Sequence, residues 1–207
     1  MKKHRPRHVG IIPDGNRRWA AAHGLSKEEG YQYGLAPGLA LLQQAKHDGI
    51  EEITYYGFTV DNCKRPKEQV RSFQRACVDA VDYLASEGAD LLVIGNTASK
   101  CFPRELQDFA TRTAVCGGGI KLNFLVNYGW EWDLAHVRED GKPHSADISR
   151  IDLVIRWGGM RRLSGFLPIQ SVYADFYVEE KLWPDYRDDD WKKALEWYEK
   201  QDVTYGG

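Results

Sequence analysis

One carboxylate, a glycine, an amide and two arginines follow the first apolar run of the chain. Asp14 comes just after apolar residues 9–12, and it is followed by Gly15, Asn16, Arg17, Arg18 and Trp19. Arginines and the free N–H groups at the start of a helix bind anions. A carboxylate beside that positive charge suits a phosphate group that carries a divalent metal ion. Asp-Gly-Asn on its own would be typical of an ordinary polar turn.

A second cluster of cations lies later in the chain. Residues 156–166, RWGGMRRLSGF, contain three arginines, a serine and three glycines. Arginine binds phosphate oxygens in a bidentate manner, and glycine lets the backbone approach a ligand closely. The alternative interpretation is a solvated basic loop. Downstream, Asp175 is a candidate to share Mg²⁺ with Asp14, although an aspartate in an aromatic run is as often a cap or an ion-pair partner.

A third polar segment, YGFTVDNCKRP, spans residues 56–66. Its sequence is that of a strand leading into a helix, with Pro66 in the first helical turn. We expect Thr59, Asn62 and Arg65 to face the same phosphate pocket. In isolation the segment is typical of an ordinary strand-to-helix loop.

Strand-like and helix-like patterns alternate along the chain and predict how these segments are placed. Apolar runs occur at residues 9–12, 53–58, 91–94, 120–126 and 153–155, and helical patterns at 39–47, 68–86, 103–113, 131–137 and 188–200. This alternation predicts an α/β fold with a mostly parallel sheet covered by helices on both faces. No repeat or linker is evident, so we expect a single domain over residues 1–207. Ligands bind beyond the carboxyl ends of parallel strands, where all three polar segments fall.

Composition excludes several classes of protein. The net charge of −2 gives no argument for binding nucleic acid. No apolar run is as long as a bilayer span, and the basic start lacks the apolar core of a signal peptide, so we expect no transmembrane segment. The four cysteines form no CxxC pair, which argues against zinc and predicts reduced thiols in a cytoplasmic protein.

The segments, taken together and in this order, resemble the cis-prenyltransferase family, which includes undecaprenyl diphosphate synthase. The motifs that carry the resemblance are HVGIIPDGNRRWA, YGFTVDNCKRPKEQV, NFLVNYGW and DLVIRWGGMRRLSGFLPIQSVYADFYVEEKLWPDY. They span residues 8 to about 198. The resemblance implies a sheet with an apolar tunnel, Mg²⁺-dependent coupling of allylic diphosphates and a homodimer.

The resemblance also implies roles for individual residues. Asp14 matches the catalytic, metal-binding aspartate of the family, and Asp175 stands where the family usually has a metal-binding glutamate. Contacts to the allylic diphosphate are implied for Gly15, Asn16, Arg18 and Arg65. Contacts to the second diphosphate are implied for Arg156, Arg162 and Ser164. Asn62 and Thr59 match residues near the reacting carbons.

Several positions depart from the family pattern. Arg17 replaces a glycine, Tyr31 a histidine and Lys27 an arginine, and we expect all three to contact substrate together with Trp19. An arginine-rich tail is replaced by VTYGG at residues 203–207, and the segment between residues 127 and 152 is short. The details around Asp14 are similar to the branch that makes irregular lavandulyl and cyclolavandulyl diphosphates by joining two dimethylallyl units head to middle.

The expected activity is therefore head-to-middle coupling of two dimethylallyl diphosphates, with or without ring closure. Three alternatives stay open. The first is a regular short-chain Z-prenyl diphosphate synthase that uses isopentenyl diphosphate. The second is a terpene cyclase that acts on a single longer substrate such as geranyl diphosphate. The third is a non-catalytic subunit of a heteromer. The last is disfavoured because the aspartate and the phosphate-binding arginines are present.

Overall fold

Strands and helices alternate in a computed structural model that describes residues 5–201. The seven strands are β1 (His8–Ile12), β2 (Glu52–Thr59), β3 (Ala89–Ile94), β4 (Thr113–Val115), β5 (Ile120–Tyr128), β6 (Leu153–Arg156) and β7 (Asp175–Val178). The five α-helices are α1 (Asn16–Ala22), α2 (Leu35–His47), α3 (Lys67–Ala85), α4 (Trp130–Ala135) and α5 (Asp188–Tyr198). The predicted departure at residues 203–207 lies outside the described residues.

The strands form one sheet in the order β4-β3-β5-β2-β1-β6-β7. All neighbours are parallel except β3 and β4. The predicted mostly parallel sheet is therefore confirmed. From β1, the chain continues to β2 on one side, whereas β6 and β7 lie on the other. The carboxyl end of β1 is thus a point where strand order reverses, which is where such sheets bind ligands.

The two faces of the sheet are covered differently. Helices α2, α3 and α5 pack on one face through residues such as Leu41, Val81 and Trp191. The other face is covered by Ile148, Phe166 and Leu167, which belong to irregular chain. Helices cover much less of this face than of the first, because the short segment after β5 leaves room only for the six-residue α4, whose Trp132 packs here.

The predicted helix at residues 103–113 is also corrected. Only a 3-10 turn, Arg104–Phe109, forms there, and Thr113 already belongs to β4. Pairing of Thr113 with Leu91 at the edge of the sheet overrides the local helical pattern. None of the described helices is both long and apolar enough to cross a membrane.

Candidate active site

A cavity of about 540 Å³ opens at the carboxyl ends of β1, β2 and β6. Most of the residues predicted to form the site line it together. They are Asp14, Gly15, Asn16, Arg17, Arg18, Lys27, Tyr31, Thr59, Asn62, Arg65, Arg156 and Ser164. The three polar segments therefore line one cavity, as their positions after parallel strands predicted.

The Asp14 loop is fixed by a segment from far along the chain. Gly15 has φ of 113°, and a Cβ there would lie 2.8 Å from the Leu182 side chain, so only glycine fits. The backbone N–H of Trp183 donates to the Asp14 carbonyl at 3.0 Å. The Trp183 indole in turn donates to the Gly34 carbonyl at 2.9 Å. These contacts hold the carboxylate at the cavity without using its own oxygens.

Two arginines pair with the Asp14 carboxylate. Arg156 Nη2 lies 2.8 Å from Asp14 Oδ2, and Arg18 Nη2 lies 3.4 Å from Oδ1. Arg18 also donates to the Gly158 carbonyl at 3.0 Å, so it joins the loops that follow β1 and β6. Helix α1 has only seven residues, so these side chains, more than its dipole, supply the positive charge.

Positive charge exceeds negative charge along the cavity wall. Its cations are Arg17, Arg18, Lys27, Arg65 and Arg156, against the carboxylates Asp14 and Asp61. Asp61 is paired with Lys64 at 2.6 Å. An excess of arginine and lysine around a concave site suits a strongly anionic ligand such as a diphosphate.

A turn after β6 places the second set of polar groups. Arg156 Nη1 donates to the Ser164 hydroxyl at 3.0 Å and to the carbonyl of Arg162. The Arg156 side chain is only 6% exposed, whereas Ser164 is open to the cavity. This pair faces the groups that follow β1 across the Asp14 carboxylate.

The segment after β2 is held by a reciprocal cap. The Asn62 backbone N–H donates to Thr59 Oγ1 at 3.3 Å, and the Thr59 N–H donates to Asn62 Oδ1 at 3.0 Å. The capped 3-10 turn, Val60–Lys64, brings Arg65 to the cavity. Because Asn62 uses its amide oxygen in the cap, its amide NH₂ is the part left to contact a ligand.

Two stacked aromatic rings close the cavity at its inner end. The rings of Tyr31 and Phe73 lie 4.4 Å apart between centroids and are nearly parallel. Arg65 donates to the Tyr31 hydroxyl at 3.0 Å. Burial raises the pKa of that hydroxyl, which keeps it protonated. The two rings therefore form a partition between polar and apolar space.

Beyond this partition lies an apolar pocket of about 90 Å³. Small residues line much of it, including Gly38, Ala76 and Ala80, and Trp183 closes one side. The predicted apolar tunnel is thus present as a short pocket between the sheet and helices α2 and α3.

Three predicted residues do not line the cavity. Trp19 stacks on His23 and donates to Asp185. The Arg162 side chain is exposed, and only its carbonyl takes part in the site. Asp175 pairs with Leu153 at the amino end of β6, three residues before Arg156. The prediction that Asp14 and Asp175 share a metal ion is therefore wrong within one chain, because strand register puts them at opposite ends of the sheet.

The cavity also contains residues that were not predicted. Tyr56 and Phe73 both line it. Bulges in β2 between Tyr56 and Thr59 change the side-chain alternation at this point, so Tyr56 and Gly57 both face the site. A register irregularity has no signal in a single sequence. Phe73 could have been found, since it is an apolar residue in the second turn of the predicted helix that follows Arg65.

Comparison with known proteins identifies the family. The family model described as "Putative undecaprenyl diphosphate synthase" matches residues 12–206. The farnesyl-diphosphate-specific ditrans,polycis-undecaprenyl-diphosphate synthase of Escherichia coli K12 is 33% identical over all of this chain and 92% of its own length. That of Photorhabdus laumondii is also 33% identical, over 98% of this chain and 90% of its own. The chain belongs to the undecaprenyl diphosphate synthase family of cis-prenyltransferases.

A solved structure extends the comparison. Lavandulyl diphosphate synthase from Lavandula x intermedia, in complex with dimethylallyl diphosphate, superposes on this cis-prenyltransferase with a TM-score of 0.81. The two are 25% identical, and the match covers 98% of each chain. The predictions of the family, of the fold class and of a prenyltransferase activity are thus confirmed.

Proposed function

We propose that this prenyltransferase couples two short allylic diphosphates, and that both are dimethylallyl diphosphate. The observation that carries the proposal is the shape of the site. A single cationic cavity has two sets of phosphate-binding groups on either side of Asp14, and the apolar space behind its inner end is a pocket of about 90 Å³. The likeness to lavandulyl diphosphate synthase supports the same substrate.

The leaving diphosphate lies against the groups that follow β1 and β2. Asn16, Arg18 and Arg65 donate hydrogen bonds to its oxygens. These bonds strengthen as the carbon–oxygen bond breaks and negative charge develops on the departing group. The allylic cation that remains lies beside the rings of Tyr31 and Phe73, whose π electrons stabilise it.

Arg156 and Ser164 hold the diphosphate of the second substrate. Its double bond then lies next to the cation, which turns an encounter of two molecules into an oriented reaction within one site. The new carbon–carbon bond forms from the electrons of that double bond, and a proton must leave. Both cavity carboxylates, Asp14 and Asp61, are ion-paired. We therefore assign the departing diphosphate as the proton acceptor.

The residues present fit Mg²⁺. Among residues 5–201, no group of three or more His, Cys, Asp or Glu side chains is arranged to hold a metal ion. Mg²⁺ is commonly held by one or two carboxylates together with substrate phosphates, and the partly exposed Asp14 supplies such a carboxylate. When bound, Mg²⁺ would neutralise charge on the departing diphosphate.

The deciding experiment is product analysis by mass spectrometry. The protein is incubated with dimethylallyl diphosphate alone, with isopentenyl diphosphate added, and with geranyl diphosphate alone. We expect a ten-carbon diphosphate from dimethylallyl diphosphate alone. A product that forms only with isopentenyl diphosphate would instead show regular elongation, and conversion of geranyl diphosphate alone would show a cyclase.

Regular elongation is the second candidate because the named relatives at 33% identity are undecaprenyl diphosphate synthases. The small apolar pocket disfavours a long product. A long isoprenoid would need a passage several times larger than the space behind Tyr31 and Phe73.

We also propose that the active protein is a homodimer. The large apolar side chains of Trp130, Leu134 and Ile169 are 43–50% exposed, and they line one shallow crevice. Exposed apolar residues that cluster in this way mark protein interfaces. Light scattering after size exclusion should give twice the chain mass of 23.7 kDa, and Leu134→Glu should give the monomer.

A further inference from the structure

Tyr56 lies at the boundary between the sheet and the loop that carries the second set of phosphate-binding groups. Its ring is almost fully buried, lies 5.3 Å from the ring of Phe166 between centroids, and lines the cavity. Its hydroxyl donates to the carbonyl of Ser164 at 2.9 Å. Burial raises the pKa of this hydroxyl, so it remains a donor at neutral pH.

Ser164 has a backbone conformation that its residue type rarely adopts. Its φ is 53° and that of Gly165 is 79°, while the Phe166 N–H closes the turn on the Leu163 carbonyl at 3.1 Å. Turns with positive φ at both central positions favour glycine, asparagine or aspartate. A serine there is strained unless the surroundings hold it.

The strained turn is joined to the catalytic carboxylate through one arginine. Ser164 Oγ accepts from Arg156 Nη1 at 3.0 Å, and Arg156 Nη2 donates to Asp14 Oδ2 at 2.8 Å. A change in the conformation of Ser164 would therefore move its hydroxyl and remove one of the contacts that orient Arg156.

We propose that Tyr56 is a positioning residue for the second diphosphate subsite, because its hydroxyl holds Ser164 in the conformation that points Ser164 Oγ and Arg156 into the cavity. The inference rests on the proposed function, since that function requires two diphosphates in one cavity. Tyr56 itself contributes no charge to the ligand. It acts through the geometry of the turn.

Calorimetric titration with inorganic pyrophosphate in the presence of Mg²⁺ tests the proposal without depending on the product made. We expect two pyrophosphate sites per chain in the wild type. In Tyr56→Phe, one site should weaken about tenfold, which corresponds to the loss of one hydrogen bond that orients charged groups, and the other should be unchanged. Arg18→Ala should weaken the opposite site.

Two further variants separate positioning from general loss of stability. Tyr128→Phe removes a buried hydroxyl of the same apolar cluster, which donates to Asp133 at 3.0 Å outside the cavity, and should leave both sites unchanged. In a Ser164→Gly background, glycine adopts the positive φ unaided, so adding Tyr56→Phe should cause no further weakening.

The outcomes distinguish this proposal from the function on which it rests. A single pyrophosphate site in the wild type would overturn both. Two wild-type sites that Tyr56→Phe leaves intact, or weakens equally, would overturn only the role of Tyr56. The same would follow if the full loss persisted in the Ser164→Gly background.

Discussion

The two ends of the sheet both carry polar side chains, but they use them in opposite ways. At the amino end, His8, Glu52, Thr54 and Asn123 are at most 3% exposed. Together with Ser149, these four residues form what we call the amino-end cluster. Each member is hydrogen-bonded to another, and Asn123 Nδ2 donates to Glu52 at 2.7 Å and to Thr54 at 2.9 Å. Its hydrogen bonds are satisfied within the protein.

At the carboxyl end, the cavity leaves hydrogen-bonding capacity unused. Within residues 5–201, the buried polar atoms without a partner include Asn16 Oδ1, Arg17 Nε and Arg156 Nε, and none belongs to the amino-end cluster. A buried polar group without a partner costs stability. The comparison shows that the polar groups at the amino end satisfy one another, whereas some at the carboxyl end remain without a partner.

The largest effect should come from Asp14→Asn. The variant keeps the shape of the side chain but removes the negative charge, so kcat/KM should fall by at least about 10³-fold, as when an essential electrostatic contact is lost. The melting temperature should stay within a few degrees of the wild type, because the amide oxygen of asparagine can still accept from Arg156, which also keeps its bonds to Ser164 and to the Arg162 carbonyl. Substantial residual turnover would contradict the role of Asp14.

Asn123→Ala should lower stability and leave activity nearly unchanged. It removes one hydrogen bond from each of Glu52, Thr54 and Arg112 at the opposite end of the sheet. We expect the free energy of unfolding in urea to fall by about 2–4 kcal/mol while kcat/KM at 25 °C stays within about twofold. A large loss of activity in the folded variant would show that the two ends are coupled.

Phe73→Ala should change substrate choice in addition to lowering the rate with both substrates, because the ring lies beside the allylic cation. Removing this ring leaves Tyr31 unstacked and joins the cavity to the apolar pocket behind it. The ratio of kcat/KM for geranyl over dimethylallyl diphosphate should rise about tenfold, the order expected when a hydrophobic site accepts a longer tail. Phe58→Leu, a nearby buried control outside the cavity, should leave the ratio unchanged.

The smallest effect is a pH dependence that belongs to the amino-end cluster. Burial lowers the pKa of His8, against the raising influence of Glu52 and Asp152. The His8 imidazole therefore becomes protonated near pH 6.5 in the unfolded chain but only at lower pH in the folded chain. The free energy of unfolding falls as the pH drops below about 6.5, by at most about 1.4 kcal/mol per pH unit. Urea titrations between pH 7 and 5 should show this slope, and His8→Gln should flatten it.

The sequence predicted the residues of the cavity better than it predicted the amino-end cluster. Asp14, Arg65 and Arg156 could be placed together because each follows an apolar run and parallel strands end at a common edge. The amino-end cluster could not be predicted, because it depends on the register that sets Thr54 opposite Asn123.

The same missing information explains the errors. The register of β7 against β6 carries Asp175 away from Asp14, and the pairing of Thr113 with Leu91 converts a predicted helix into an edge strand. The bulge that turns Tyr56 toward the site is equally invisible in a single sequence. Local patterns identify elements, whereas long-range pairing decides which side chains meet.

The position of β1 has a consequence for synthesis of the protein. This strand precedes the other six described strands along the chain, yet it lies between β2 and β6, and the loop that follows it is clamped by Trp183. A nascent chain that ends before that residue lacks the clamp, even when the strands before it have already paired. Contacts of such long sequence separation also form slowly. The loop that carries Asp14 is therefore completed only after Trp183 has been synthesised, and products that end before Trp183 should be inert.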